Sequence, residues 1–220
     1  MIVSIARELG AGGRTVGEAL AAALRAPLLD ERSFIDELSK RRGLAPEFVE
    51  QHIERAPNAA ERLISDLAAA TAMLPIALTY PQPKELIVET VREIVLEHAQ
   101  RGHVVVIGHG GVSLLGWRPA GTPVLAILLR AGRAWRIEQL ARRYGIARDE
   151  AAARVQRTDE ARVRFQKHYF DSDLYDSRQY DVALNTESLG LELAIAIATS
   201  AAEEFARRET PATVGLENNA

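Results

Sequence analysis

Apolar residues follow two rhythms along this chain of 220 residues. Short, largely unbroken runs at 2–6, 27–29, 104–107 and 124–129 have the length and continuity of buried strands, and 181–184 is a fifth candidate. Between them the apolar positions recur at helical spacing. Val16, Leu20 and Leu24 stand at i, i+4 and i+8, one stripe of a helix for which Thr15 is a suitable cap near the start. From 31 to 101 the spacing predicts only helices, at 33–42, 46–54, 59–73 and 83–101. Pro46 and Pro83 stand where helices begin, and Pro57, Pro75 and Pro81 stand at the joins. Two arginine-rich helices follow at 134–144 and 148–167, and a last one at 189–207. The stretch 209–220 is polar without an apolar period and is expected to be disordered.

Strands alternating with helices imply an α/β fold, a parallel sheet covered on both faces. Ligands in such folds bind beyond the carboxyl ends of the strands. Three of those ends carry suggestive residues: 10–15, 108–111 and 130–136.

Composition sharpens this picture. With 47% hydrophobic and 26% charged residues, the chain suits one compact domain with a sizeable core and a helical insertion. The net charge of −3 offers no basic excess for nucleic acid or an anionic membrane. There are no cysteines, which excludes disulfides, zinc–thiolate sites and thiol catalysis, and fits a reducing compartment. The opening residues carry no signal-peptide pattern. The longest mostly apolar stretch, 67–78, is broken by Pro75 and falls short of the roughly 20 residues a membrane helix needs. A soluble, cytoplasmic protein is the expectation. Its oligomeric state is not legible in the sequence.

The strand, glycine cluster and helix of residues 2–24 form the strongest chemical signal. Gly10, Ala11, Gly12, Gly13, Arg14 and Thr15 join a buried strand to a helix start. Glycines there let backbone N–H groups converge on an anion, and the helix adds its positive end. Thr15 offers a hydroxyl to a magnesium ion. A tight turn that needs glycine only for packing has the same appearance; the flanking strand and helix favour phosphate. The pattern Gly-x-x-x-x-Gly-Lys-[Ser/Thr] is not met. If Gly13-Arg14-Thr15 is set on Gly-Lys-Thr, Arg14 replaces the lysine and Glu8 the first glycine. Arg14 is the favoured substitute for the missing cation, followed by Arg7, although guanidinium differs from ammonium in shape and hydration.

Other polar residues are less decisive. Arg154, Arg157, Ala161 and Arg164 follow one helical face, which suits developing phosphoryl charge but equally suits a solvated helix with pairs such as Asp159–Arg162. Arg130, Arg133 and Arg136 after a strand are either site cations or surface charge. Asp30, at a strand end, either holds substrate or a metal-bound water, or caps the next helix. His109, between glycines after a buried strand, lacks any metal-ligand spacing around it.

The run Ile5-Ala6-Arg7-Glu8-Leu9-Gly10-Ala11-Gly12-Gly13-Arg14-Thr15-Val16-Gly17 resembles the opening of the cytidylate kinase-like family, whose members typically begin Ser-Arg-Glu-Phe-Gly-Ser-Gly-Gly-Arg. The resemblance continues at 28–31, 43–49, 104–111, 159–162 and 180–186, so that it spans roughly 2–200. A lysine-free loop is usual in that group. The resemblance implies a P-loop NTPase-like sheet in one domain over 1–208. Residues 31–101 would be a helical acceptor-binding region and 132–170 an arginine-rich lid. It further implies transfer of the γ-phosphoryl of ATP, with Mg²⁺, to a nucleoside monophosphate or similar acceptor, or, where transfer is lost, a nucleotide or phosphate sensor. Asp159 and Arg162 match the Asp-x-x-Arg of the family lid; Val155 stands where an arginine is expected, flanked by Arg154 and Arg157. The implied catalytic set is Arg14, Arg157, Asp159 and Arg162, with Asp30, His109 and Arg136 toward the acceptor. His109 replaces the arginine usual at its place.

Overall fold

The computed structural model describes residues 1–52, 83–115 and 121–209. Five strands form one sheet: β1 (Ile2–Arg7), β2 (Leu28–Leu29), β3 (Val104–Ile107), β4 (Val124–Arg130) and β5 (Val182–Asn185). Their order is β2-β3-β1-β4-β5, and every pairing is parallel. The described helices are α1 (Gly13–Ala23), α2 (Glu31–Arg42), α3 (Pro46–His52), α4 (Pro83–Arg101), α5 (Gly111–Leu114), α6 (Arg133–Tyr144), α7 (Arg148–Phe170) and α8 (Thr186–Glu209). The helix expected at 59–73 and the stretch expected to be disordered lie almost entirely outside the described residues.

Strands buried on both faces read as continuous apolar runs, and the pleat then sorts alternate residues to opposite sides. Ile2, Val104, Val106, Val124 and Ala126 meet Phe34, Leu38, Ile94 and Val95 on the face covered by α2 and α4. Val3, Ile5, Val105, Ile107, Leu125, Ile127 and Leu129 meet Val16 and Leu20 of α1 and Ala194, Ala198 and Ala202 of α8. The three alanines recur every fourth residue, a small-residue stripe that lets α8 approach closely.

Boundaries differ from the sequence reading where side chains or glycines decide. Asp30 caps α2, accepting from Ser33 N at 3.1 Å and Ser33 Oγ at 3.0 Å, so this helix starts at Glu31 rather than 33. Asn185 does the same for α8 through Glu187 N and Ser188 N at 3.1 and 3.3 Å, and a break at Gly190 separates its first turn from the rest. The short α5 was not expected; four apolar and small residues carry no period.

The chain leaves β1 toward the β2 edge and leaves β4 toward the β5 edge. A crevice therefore opens between the carboxyl ends of β1 and β4, the place such sheets reserve for ligands. The α6–α7 hairpin rises beside it, held by Ile137, Leu140, Ala151 and Val155, with Leu9 packed against them. No helix among the described residues is long and apolar enough to cross a membrane.

Candidate active site around the glycine loop

The loop between β1 and α1 takes its shape from two glycines. Gly10 has φ 87° and Gly12 φ 83°, left-handed values that a side chain resists, and Gly12 is the residue on which α1 begins. A Cβ at Gly10 would stand 2.8 Å from the Arg136 carbonyl oxygen. The Ala11 N–H turns back to the Glu8 carbonyl at 3.2 Å, closing the loop, and the first amides of α1 stand at the helix N-terminus beyond it. The loop opens on a cleft of about 360 Å³. Its rim carries Arg7, Arg14, Arg143 and Arg162 against the carboxylates of Glu8, Asp30 and Glu31, and Trp135, Leu140, Tyr144 and Leu191 form an apolar wall.

Behind the loop lies a buried ionic cluster. Arg136 is 5% exposed; its Nη1 reaches Asp159 Oδ2 at 2.6 Å and Leu9 O at 3.0 Å, while its Nε donates to Ala131 O at 3.0 Å. Glu8 Oε2 accepts from Ala131 N at 2.9 Å and lies 3.5 Å from Arg136 Nε. Asp159 Oδ1 takes the amide of Leu9 at 2.9 Å. Leu9 is thus held by its N–H, its carbonyl and its side chain, all from the α6–α7 hairpin. Tyr175 borders this cluster; burial, then the charges of Glu8 and Asp159, push its phenol up to about 12.

The expected residues divide accordingly. Gly10, Gly12, Gly13, Arg14, Thr15, Asp30 and Arg162 line the cleft together, and Ala11 is buried beneath it in the core. Arg14 lies outward, with Nε on Glu18 at 2.8 Å and Nη1 3.9 Å from Asp30; that hydrogen bond to Glu18 raises its pKa. Burial opposes ionisation of Asp30, yet the Ser33 amide and hydroxyl, with Arg14, hold its carboxyl below the ordinary value. Arg162 donates from Nη1 to Arg7 O at 3.3 Å. Asp159 and Arg136 meet each other behind the loop. Arg157 is exposed and stands apart from the cleft wall, and Arg154 lies 4.6 Å over the Tyr144 ring. Val155, at the place of the family's arginine, is 1% exposed in the hairpin core.

His109 lies outside the cleft. It is 2% exposed with φ 55°, set edge-on to Phe34 at 4.5 Å between ring centroids. It lines a smaller pocket of about 30 Å³ with Gln166, Gln179 and Tyr180. Beside that pocket, Gln166 Nε2 donates to Ser113 Oγ at 2.6 Å and Ser172 Oγ at 2.9 Å, and Ser113 Oγ lies 3.0 Å from Gln179 Oε1. Sequence reasoning missed this network, Glu8, Leu9, Trp135, Arg143, Tyr144 and Leu191. None carries a local signal, because each acts through partners distant in sequence.

For a metal, no group of three or more His, Asp or Glu side chains stands ready among the described residues. Magnesium needs few protein ligands when phosphates supply the rest. The Thr15 hydroxyl, with the carboxylates of Asp30 and Glu31 on the same cleft, fits that requirement.

Relatives agree with this architecture. A cytidylate kinase of Pyrobaculum islandicum is 23% identical over 197 residues, covering 90% of each chain. One of Ignicoccus hospitalis is 32% identical over 106 residues, which are 48% of this chain and 59% of that protein. A crystal structure of an uncharacterized Eubacterium ventriosum protein superposes with a TM-score of 0.65 at 18% identity, covering 93% of this chain and 98% of that one. TT1252 of Thermus thermophilus gives 0.53 at 17%, covering 93% and 96%. The sequence profile of the cytidylate kinase-like family matches residues 2–188, and the chain belongs to that family.

Proposed function

We propose that the protein is a kinase of the cytoplasm that transfers the γ-phosphoryl of ATP to a nucleoside monophosphate or a similar small acceptor. The observation that carries this reading is the left-handed glycine loop between β1 and α1, opening on an arginine-rimmed cleft at the carboxyl end of β1. The residues 10–15 would receive the phosphates through backbone amides, with the α1 N-terminus behind them. Arg14 stands at the mouth and Arg162 reaches in from the lid helix α7. The wall of Trp135, Leu140 and Tyr144 offers an aromatic and apolar surface to a base.

Phosphoryl transfer asks little covalent chemistry of the protein. An acceptor oxygen attacks the γ-phosphorus in line as the bond to the β-bridging oxygen breaks, and the protein positions both and neutralises charge. Magnesium at Thr15 would supply charge neutralisation between phosphates. The Arg136–Glu8–Asp159 cluster fixes the loop from behind, so its amides are aimed before the ligand arrives.

One observation favours a sensor instead: Arg14, the residue in the lysine's place, lies outward on Glu18. Purified protein given γ-labelled ATP, Mg²⁺ and a panel of nucleoside monophosphates decides between the two. Label in a nucleoside diphosphate supports the kinase. Nucleotide binding with no labelled acceptor supports the sensor.

A further inference from the structure

We propose that Arg7, the last residue of β1, is the cation that lies over the loop-bound phosphates, and that residue 13 is glycine because the Arg7 side chain crosses it. This rests on the reading of the loop as a phosphate site. A Cβ built on Gly13 would stand 2.8 Å from Arg7 Cγ, 3.1 Å from its Cβ and 3.5 Å from its Cδ. The stem of Arg7 therefore leaves the strand end and packs across the first residue of α1, where Arg7 forms part of the cleft wall. Gly13 is helical and buried rather than left-handed, so its backbone does not need glycine; the space above it does.

The two cavities near the strand ends share two wall residues, Arg7 and Arg162. Arg162 Nη1 holds the Arg7 carbonyl at 3.3 Å, which ties the two cations together at the boundary. Arg7 is half-buried there, where a charge acts through less water than at the surface. Arg14 has a side chain 60% exposed and follows the outer face of α1 to Glu18. The lysine of the usual pattern reaches the β- and γ-phosphates from the helix side of the loop. Arg7 approaches the same oxygens from the strand side, with a fork able to contact two of them.

The test uses inorganic tripolyphosphate with Mg²⁺ as the probe, measured by calorimetry on wild type, Arg7→Ala, Arg14→Ala, Gly13→Ala and the Arg7→Ala/Gly13→Ala pair. Loss of one charge-assisted contact weakens affinity roughly ten- to a hundredfold. Arg7→Ala and Gly13→Ala are each expected to show that loss, and the pair no more than either alone, because the methyl at residue 13 acts by displacing Arg7. Arg14→Ala, whose guanidinium is turned to Glu18, should lose less affinity than Arg7→Ala. Melting temperature checks folding: the methyl at residue 13 must push the Arg7 stem aside, so Gly13→Ala should melt below wild type and the Arg7→Ala/Gly13→Ala pair should recover part of that loss. A loss confined to Arg14→Ala, or additive losses in the pair, overturns the proposal while leaving the phosphate loop standing. If wild type binds neither tripolyphosphate nor ATP, the loop reading falls and takes the proposal with it.

Discussion

Leu9 has no polar side chain, yet its backbone carries the site. Asp159 takes its N–H and Arg136 its carbonyl, from helices 150 and 127 residues away. Removing Arg136 would leave the partly buried carboxylates of Glu8 and Asp159 without their shared cation, and breaking a buried ion pair costs up to about 3–5 kcal/mol. Arg136→Ala should therefore lower the free energy of unfolding by that order, read from denaturant melts at neutral pH. Asp30 gives a milder case. Its carboxyl is held below its ordinary value of 3.8, so its contribution is complete above that value and fades as pH falls through the lower folded one. Asp30→Ala should cost about 1 kcal/mol at pH 7 as a lost cap, and the difference from wild type should shrink in acid. These residues also mark what could be read beforehand. The loop at 10–15 was legible because its glycines, strand and helix are contiguous. Arg136 was not: nothing local distinguishes it from Arg130 or Arg133, and only its distant partners do.

At the scale of elements, the α6–α7 hairpin explains a departure from the family pattern. Val155 fills the seam with Ile137, Leu140 and Ala151, so no arginine can stand there without burying its charge. Val155→Arg is expected to lower the melting temperature sharply, since unpaired buried charge is among the largest mutational costs; an unchanged melt would contradict this packing. The same geometry divides the arginines of α7. Arg162 lines the cleft and Arg157 is exposed away from it. Arg162→Ala should cut the transfer rate on the order of a hundredfold, as loss of a preorganised donor does. Arg157→Ala, in the conformation seen, should change turnover and stability little. Helical spacing put Arg154, Arg157 and Arg164 on one face but could not say which face turned inward. That depended on where Val155 and Leu9 packed.

For the whole molecule, the β2-β3-β1-β4-β5 order gathers the ends of β1 and β4 and sends their connections to opposite edges. Buried strands were easy to find, because both faces are apolar. For the same reason their order and register were not, since no polar face marks which side is out. The account's central claim is that this crevice receives nucleotide phosphates on the loop amides. The most direct measurement is an NMR titration of ¹⁵N-labelled protein with ATP and Mg²⁺, following the amide signals. Saturable shifts concentrated at Gly10, Ala11, Gly12, Gly13 and Thr15, reproduced by inorganic tripolyphosphate, are the predicted result. Saturable shifts elsewhere with those five amides unmoved, or no saturable shifts at all, would contradict it.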